Sequence, residues 1–240
     1  PLVIISPDDR NLIIEGSETR RKFIDGIICQ TNKEYLNTLI DYNKTLKQRN
    51  ALLKMFYNDS ENIKKTIDIY DNHLSSNAQK ICERRTKFLS DFIPIFKIRY
   101  KQLSDDKENV EIIHKTDISE SQSLYKLLKN NLEKDLRFQF TTKGIHKDDL
   151  TFSINSFSVK KYGSQGQQKT FLIALKLAQF DYLSKLNSNP ILLLDDIFDK
   201  LDDNRVKQII NLVNEEKFNQ IFISDTNKIR SENIIKKVNK

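Results

Sequence analysis

The chain has 240 residues, enough for one large domain or two small ones. Hydrophobic residues make up 38% of the sequence and charged residues 30%, so we expect a buried core under a strongly charged surface. The net charge of +7 permits a polyanionic partner without demonstrating one. No apolar run approaches the ~20 residues of a membrane-spanning helix, which excludes an integral membrane protein.

The two cysteines, Cys29 and Cys82, are too few for a disulfide framework or a four-cysteine zinc site. Their scarcity fits the reducing cytoplasm, which is the location we predict. The sequence opens at Pro1, on an apolar run, and we therefore expect the chain to be a piece of a longer protein.

The first segment has the pattern of a strand followed by a short helix. Residues 2–6 form an apolar run that predicts a buried strand. Ser6 and Pro7 then have the residue types of a helix N-cap and of the first helical position. Gly16 is expected to end this helix, and Ser17 to begin the next one.

Two long segments with a heptad pattern follow. From Tyr35 to Phe56, and again from Ile63 to Phe88, mainly apolar residues recur at alternating spacings of four and three. A capping box at Thr31 and Glu34 is expected to start the first helix, and Pro94 to kink or end the second. The pattern predicts an antiparallel coiled-coil hairpin with arms of roughly 25 residues, or about 40 Å.

Three polar residues, Arg49, Asn77 and Arg84, interrupt the apolar seam of this hairpin. Such residues specify the register of a coiled coil, or they snorkel at the edge of its seam. If the hairpin folds symmetrically about its loop, Arg49 lies near Asp68.

Beyond the hairpin the pattern becomes mixed α/β. Residues 109–114 predict a short strand, and Ser119 is expected to begin a further helix. Alternation over residues 150–154 predicts a strand, which a turn at 155–156 joins to a second strand at 157–159. The remaining elements predict a parallel sheet with covering helices. They are a helix at 165–186, a strand at 191–194, a helix at 203–213, a strand at 220–224 and a helix at 231–238.

Two acidic residues, Asp195 and Asp196, end the apolar run at 191–194. At such a place the first carboxylate can hold Mg²⁺ with its water shell, and the second can orient or deprotonate an attacking water. The same pattern also occurs where a buried strand simply meets solvent, so the pair alone leaves both interpretations open.

A second motif, Ser164-Gln165-Gly166-Gln167-Gln168, immediately precedes the long predicted helix. A serine and a glycine at a helix N-terminus offer a hydroxyl, backbone N–H groups and the positive end of the helix dipole, which together suit a phosphate group. A simple N-cap followed by a permissive glycine has the same pattern.

The two motifs lie about 30 residues apart, and Asp199-Lys200-Leu201-Asp202 follows the acidic pair. In this order they resemble the signature motif, Walker B motif and D-loop of ABC-type ATPases. Further stretches narrow the resemblance to the RecF family of bacterial DNA-repair ATPases, which is related to the SMC proteins. These stretches are residues 6–9, 20–25, 48–54, 144–150 and 162–170.

The resemblance implies a role for each residue of the signature motif. Ser164 and Gly166 would contact the γ-phosphate of ATP held by an opposing subunit. Gln165 lies between them in the motif, and Gln167 would occupy the adjacent signature position.

The resemblance also implies roles for the acidic residues. Asp195 would be the acid associated with Mg²⁺. Asp196 would be catalytic, in the place usually held by a Glu, whose side chain is one methylene longer, and this difference is consistent with slow turnover. Asp199 to Asp202 would form the D-loop across a dimer interface.

The fold implied by the resemblance is α/β. It is the C-terminal lobe of an ABC-type ATPase head, with a parallel sheet and covering helices, plus a helical coiled-coil arm domain. Residues 1–16 would end the N-terminal ATPase lobe. Residues 17–135 would form the arm domain with its hairpin, and residues 136–240 the C-terminal ATPase lobe.

The function implied is that of a cytoplasmic homodimer that forms on ATP, has no membrane partner and binds single- and double-stranded DNA at single-strand gaps. It would act with RecR- and RecO-like mediators to promote RecA loading. One alternative, an SMC-like structural ATPase subunit, would need far longer coiled-coil arms. Another, a transporter-type ABC ATPase, would need a helical lobe that docks on membrane partners.

The sequence departs from an ABC-type ATPase in two ways. It contains no G-x-x-x-x-G-K-[ST] P-loop, and residues 223–226 lack the switch histidine of many ABC ATPases. We therefore expect this chain alone to bind ATP weakly or not at all and to be inactive. The intact protein, with a Walker A lobe, would bind ATP and Mg²⁺ and be a weak ATPase.

Four basic clusters either contact DNA phosphates or form the solvated face of a lysine-rich protein. They are Arg84-Arg85-Lys87, Lys97-Arg99-Lys101, Lys160-Lys161 and Lys236-Lys237. Among the histidines, His146 belongs to a RecF-like stretch, and we expect it near the nucleotide or the interface.

Overall fold

The computed structural model describes residues 1–56, 60–104, 106, 108–119, 122–186, 189–197, 206–209, 211, 218 and 220–225. Its contacts divide the chain into two compact units. The head unit comprises Pro1–Thr19, Ser90–Ile113 and Thr151–Lys240, and the arm unit comprises Arg20–Leu89 and His114–Leu150. None of the helices in the described ranges has both the length and the apolarity needed to cross a membrane.

The described residues form helices and strands, and each kind is numbered from the N-terminus. The helices are α1 (Asn11–Ile14), α2 (Ser17–Thr31), α3 (Lys33–Met55), α4 (Ser60–Ser104), α5 (Leu124–Asn130), α6 (Leu132–Phe138), α7 (Val159–Tyr162) and α8 (Gln165–Lys185). The strands are β1 (Leu2–Ile5), β2 (Val110–Lys115), β3 (Asp149–Ile154), β4 (Phe157–Ser158), β5 (Ile191–Asp195) and β6 (Ile221–Ser224).

The elements at the start of the chain follow one another in the predicted order. Ser6 directly follows β1 and precedes a single 3-10 turn at Pro7–Arg10, and its N–H donates to the Asp9 carboxylate (2.9 Å). α1 follows and ends before Gly16, and α2 begins at Ser17.

Two predicted helix starts are wrong. α3 begins after Asn32, whose side-chain oxygen accepts a hydrogen bond from the Tyr35 N–H (2.8 Å), whereas Thr31 is the last residue of α2. α5 begins after Ser123, and Ser119 instead pairs in an isolated β-bridge. In both places several residues of the types preferred at an N-cap lie close together in the sequence. Residue type alone therefore does not identify which of them begins the helix.

Both heptad segments are helical. Leu53 of α3 joins Ile63 and Ile67 of α4 in one buried cluster, so the apolar faces of the two helices meet. The buried residues of α3 follow the predicted seam and are Tyr35, Tyr42, Arg49 and Leu53. The supercoil of a true coiled coil stays a prediction.

α4 is longer than predicted, because it continues through Pro94 to Ser104. Of the two alternatives expected at Pro94, an end of the helix is wrong, and a kink stays a prediction. A proline inside a helix removes one main-chain hydrogen bond. Burial of Phe92 and Phe96 on either side of it stabilises the helical path at this point.

Arg49 has other partners than the sequence predicts. Its side chain is fully buried, with Nε 2.6 Å from Asp71 Oδ1 and Nη1 2.7 Å from Asp135 Oδ2. The predicted neighbour, Asp68, binds Lys129 instead (2.6 Å). Asp71 lies about one helical turn beyond Asp68, so the pairing is one turn away from the symmetric register. Snorkelling is also wrong for Arg49, because no part of its side chain reaches solvent.

The expected position of Arg84 in the seam is wrong by one residue. The Arg84 side chain is 48% exposed and lies 3.8 Å from Glu34. Arg85 is the buried residue, and its guanidinium binds the carboxylates of Asp25 (2.8 Å) and Asp148 (2.9 Å). The heptad pattern therefore finds the buried face of α4 but misplaces the arginine on it.

A parallel sheet of order β1-β5-β6 lies in the head unit, which confirms the predicted α/β class. Leu192 and Leu194 of the central strand are buried, and α8 packs against β1. Full burial of the outer strands is not observed, since Ile4 is 43% and Phe222 is 59% exposed. In β1 the exposure alternates, as in a strand that packs on one face.

The second sheet has the order β2-β3-β4. The predicted turn between β3 and β4 is confirmed, because Asn155 and Ser156 both have positive φ angles, 48° and 68°. The strand after this turn is shorter than predicted, since Val159 already begins α7. The predicted helix at 231–238 lies outside the described residues.

Candidate functional site

The carboxyl ends of three parallel strands bring polar residues to one edge of the head sheet. β5 ends at Asp195 and β6 at Ser224, and these two residues are in register. The Ser224 hydroxyl donates to Asp195 Oδ1, and Asp195 is exposed. Ligands of open parallel sheets bind outside this edge.

The chain turns sharply directly after β5. Asp196 has a left-handed φ of 47°, a conformation that Asp tolerates better than most residues. Its N–H donates to the Ser224 carbonyl (3.0 Å), and its own carbonyl accepts from Lys169 Nζ (3.3 Å). The two acids are thus fixed to β6 on one side and to α8 on the other.

A cavity of about 150 Å³ lies against this turn. It is bounded by the segment after β1, the first two turns of α8 and the turn after β5. Its polar lining includes Ser6, Arg10, Gln165, Gln168, Lys169 and Asp196. The structure therefore brings Gln165 and Asp196, two residues singled out by the sequence, to one cavity.

The N-terminus of α8 is an exposed, capped helix tip. Ser164 Oγ accepts a hydrogen bond from the Gln167 N–H (3.2 Å), and Gln167 Oε1 accepts one from the Ser164 N–H (2.9 Å). Ser164 and Gln165 are exposed, and Gly166 is partly exposed. The first N–H groups of a helix have no partner within the helix, so this tip can offer them to an anion.

Gly163, which the sequence analysis did not single out, and Gln168, the last residue of the motif, support this tip. Gly163 has no room for a side chain, since a Cβ there would lie 2.6 Å from the Val159 carbonyl oxygen. The Gln168 amide donates to the carbonyls of Gly163 (3.0 Å) and Val159 (3.3 Å). A glycine directly before an N-cap serine is the one sequence signal that could have pointed to this close approach.

Asp199 and Asp202 lie outside the described residues, as do Thr226 and the basic pair Lys236-Lys237. Within the described residues, no group of three or more His, Cys, Asp and Glu side chains could hold a metal ion.

His146 lies in the arm unit, and both of its ring nitrogens have partners there. Its Nδ1 is 2.9 Å from the Tyr42 hydroxyl, and its Nε2 is 3.0 Å from the Thr141 carbonyl. Burial lowers the pKa of His146 to about 4. Its expected place near the nucleotide or the interface stays a prediction.

In two of the four basic clusters the central arginine is buried. Arg85 is buried in the arm unit, and Arg99 binds Asp181 of the head unit through two hydrogen bonds, at 2.6 and 3.0 Å. A buried guanidinium with such partners is not available to a phosphate. Neither of the two alternatives, a DNA contact or a solvated face, therefore describes these two arginines, whereas Lys87 and Lys97 beside them are exposed.

No protein-family model matches the chain. Individual curated proteins, however, are similar to it over nearly its whole length. The DNA replication and repair protein RecF of Flavobacterium johnsoniae is 51% identical over 98% of this chain and 66% of its own length. The RecF of Phocaeicola vulgatus is 45% identical over 99% of this chain and 64% of its own length. The chain thus spans slightly less than two thirds of these relatives.

Solved structures give the same result. The recombination mediator protein RecF-ATPrS of the RecFOR pathway has a TM-score of 0.82 and 31% identity, over 95% of this chain and 62% of its own. RecF-ATP of that pathway has a TM-score of 0.81 and 32% identity, with the same coverage. The Smc head domain of Pyrococcus furiosus, at a TM-score of 0.51 and 16% identity, shares the fold.

The relatives at 51% and 45% identity align with nearly the whole chain, and the chain therefore belongs to the RecF family.

Proposed function

We propose that the chain is the signature-bearing part of a RecF-type DNA repair ATPase that acts in the RecFOR pathway. In this proposal Ser164 and Gly166 bind the triphosphate of an ATP held by a second subunit, and Asp195 and Asp196 serve the chain's own nucleotide. The observation that carries it is the exposed, serine-capped tip of α8 in a chain similar to RecF-ATP.

The tip of α8 suits a phosphate group for physical reasons. A helix of 21 residues has the positive end of its dipole at Gln165, where backbone N–H groups also point outward. Ser164 adds a hydroxyl, and Gly166 adds no side chain that would keep a ligand away. Each of these features favours an anion, and together they favour a multiply charged one such as a triphosphate.

The acidic pair suits a nucleotide-bound Mg²⁺. The Asp195 carboxylate and the neighbouring Ser224 hydroxyl are oxygen ligands, which Mg²⁺ prefers, and phosphate oxygens and water would supply the remaining ones. When bound, the metal neutralises charge on the transferring phosphate. Asp196 would orient the attacking water, and its short side chain leads us to propose slow ATP hydrolysis by the intact protein.

Most phosphate contacts of an ABC-type ATPase come from a P-loop, which this chain lacks. We therefore propose that nucleotide binding needs a Walker A lobe and that the chain alone is inactive. ATP would then join two subunits, because each site is completed by the signature tip of the other. The D-loop at Asp199 to Asp202 would lie across that interface.

The joined dimer would bind single- and double-stranded DNA at gaps and act with RecR- and RecO-like mediators to promote RecA loading, in the cytoplasm. Exposed lysines such as Lys87, Lys97 and Lys161 would carry the phosphate contacts. Each neutralised phosphate adds roughly −0.9 to the slope of log K against log salt on duplex DNA. Replacement of any two of these lysines by alanine should therefore reduce the magnitude of the slope by about two. An unchanged slope would show that the two lysines do not contact DNA.

The ATP-joined dimer is tested by Ser164→Asp in the full-length protein that contains this chain. Aspartate caps a helix about as well as serine, so α8 keeps its cap, but a carboxylate now faces the triphosphate. We expect association on ATP, measured by sedimentation, to need at least about tenfold more nucleotide.

The matched control is Ser76→Asp, which adds the same charge at an exposed position of α4. It should associate on ATP as the unaltered protein does. Association of Ser164→Asp at the unaltered ATP concentration would overturn the role of the α8 tip. No association of the unaltered protein at any ATP concentration would overturn the ATP-joined dimer itself.

A further inference from the structure

The side chain of Gln167 contacts two different partners. Its Oε1 accepts the Ser164 N–H and so closes the cap of α8, while its Nε2 donates to Glu108 Oε1 (2.8 Å). Glu108 stands just before β2, 59 residues away in sequence. A contact from outside the helix therefore orients the amide that holds the signature serine.

Glu108 is itself held from the other side. Its Oε2 accepts a hydrogen bond from the Tyr100 hydroxyl at the C-terminal end of α4. Tyr100 is fully buried, and its ring packs on Phe171 of α8, with the centroids 5.8 Å apart. The carboxylate thus links a fixed phenol to a side chain at the exposed tip.

The main chain next to Glu108 is fixed as well. The Asn109 N–H donates to the Asn155 side chain (2.8 Å), and the Asn155 N–H donates back to the Asn109 carbonyl (2.7 Å). Glu108 therefore has little freedom to follow Gln167 if the tip moves. It acts as a support of defined position.

We propose that Glu108 is a positioning residue for the signature motif: through Gln167 it holds the Ser164 turn in the orientation that binds the triphosphate. The inference rests on the proposed function of the α8 tip. Without the carboxylate, the Gln167 amide can rotate away from Ser164, and the cap loosens at the place where the phosphate binds.

Three variants of the full-length protein separate positioning from stability. Glu108→Ala removes both hydrogen bonds. Glu108→Gln keeps them, because its carbonyl can accept from Gln167 while its amide donates to the Tyr100 oxygen. Tyr100→Phe keeps the buried ring and removes only the hydroxyl. The control is Glu111→Ala, which removes a nearby carboxylate from β2.

Two measurements are made on each variant. Amide hydrogen exchange over residues 162–170 without ATP reports the order of the tip, and the ATP concentration at half-maximal association reports its function. For Glu108→Ala we expect about tenfold faster exchange and an about tenfold higher ATP midpoint. Tyr100→Phe should shift both by about threefold, and Glu108→Gln and Glu111→Ala should stay near the unaltered values.

Unchanged exchange and midpoint in Glu108→Ala would overturn the proposal. Equal losses in Glu108→Gln and Glu108→Ala would also overturn it, because only the first variant keeps the hydrogen bonds. If the unaltered protein does not associate on ATP, the proposed function fails, and the exchange measurement alone still decides whether Glu108 positions the tip.

Discussion

The interior of the arm unit and the candidate site of the head unit use polar and charged side chains in opposite ways. In the arm unit, Arg49 and Arg85 are buried, and each binds two aspartates. In the head unit, Ser164 and Asp195 are exposed at a helix tip and a sheet edge. The interior of the head unit also contains a buried arginine, Arg99, which binds Asp181. Its centre is aromatic, and the ring centroid of Phe171 lies 4.8–5.8 Å from those of Phe96, Tyr100 and Phe152.

This difference shows which charges are available to a ligand. A buried ion pair offsets its own desolvation cost only through close geometry, so its members cannot also serve a phosphate. Burial raises the pKa of Asp71 even beside Arg49, which indicates how strongly the arm interior disfavours unpaired charge. A count of arginines in the sequence therefore overestimates the basic surface. The functional proposal depends instead on the exposed groups at the α8 tip and at the carboxyl ends of the head-sheet strands.

The largest expected effect comes from breaking an arm ion pair. Arg85→Met leaves the carboxylates of Asp25 and Asp148 without their guanidinium, and we expect it to lower the free energy of unfolding by about 3–5 kcal/mol. The adjacent residue provides a matched control. Arg84→Met removes a half-exposed arginine 3.8 Å from Glu34 and should cost less than about 1 kcal/mol. Urea unfolding of the same protein measures both.

The reason for the loss can be tested in the same background. Adding Asp148→Asn to Arg85→Met removes one of the unpaired charges and should restore part of the stability. If Arg85→Met costs no more than Arg84→Met, the arm unit does not depend on buried charge and the contrast with the head unit disappears.

A smaller effect should appear on acidification, through His146. Burial holds its pKa at about 4, against a usual 6.5. Between these values the unfolded chain takes up a proton that the folded chain does not, so stability falls as the pH falls. From pH 7 to pH 5 we expect His146 to contribute a loss of about 2 kcal/mol.

The measurement is the difference in unfolding free energy between the unaltered protein and His146→Gln at the two pH values. The variant should be less sensitive to pH by that amount. His73→Gln, which removes an exposed imidazole, controls for the general loss of a histidine. Parallel pH curves for the unaltered protein and His146→Gln would contradict a neutral, buried His146.

Sequence patterns correctly predict those helices and strands whose formation depends on residues close together in the chain. The sequence correctly predicts the helix that begins after Ser164 and the strand that ends in Asp195. The N-cap and the apolar run that indicate them each involve only a few neighbouring residues. The heptads also identify the buried face of α3. They do not select between Arg84 and Arg85, since a shift of one residue alters the pattern little.

Contacts between distant residues are beyond such patterns. Arg85 and Asp148 are 63 residues apart, and Glu108 and Gln167 are 59 apart. No spacing rule relates residues so far apart, because their contact depends on how whole helices pack. For the candidate site, the sequence thus identifies the motif residues, whereas the groups that hold them in place emerge only from the three-dimensional packing.

The smallest expected effect tests the close backbone packing beside the α8 tip in the head unit. Gly163→Ala would place a Cβ 2.6 Å from the Val159 carbonyl oxygen. The turn before Ser164 must then shift, and we expect a loss of about 1–2 kcal/mol in the free energy of unfolding. The ATP midpoint for association should rise with it, because the signature serine moves with the turn.

The control is Gly16→Ala, because Gly16 also lies in the head unit and nothing lies within 4 Å of the Cβ that the substitution adds. It should be neutral, or stabilise by up to about 1 kcal/mol by restricting the unfolded chain. If Gly163→Ala lowers the free energy of unfolding and Gly16→Ala raises it, the loss in Gly163→Ala comes from the contact with Val159. Equal effects would instead mean that the tip tolerates a side chain at Gly163, and its orientation would then depend on Glu108 and Gln167 alone.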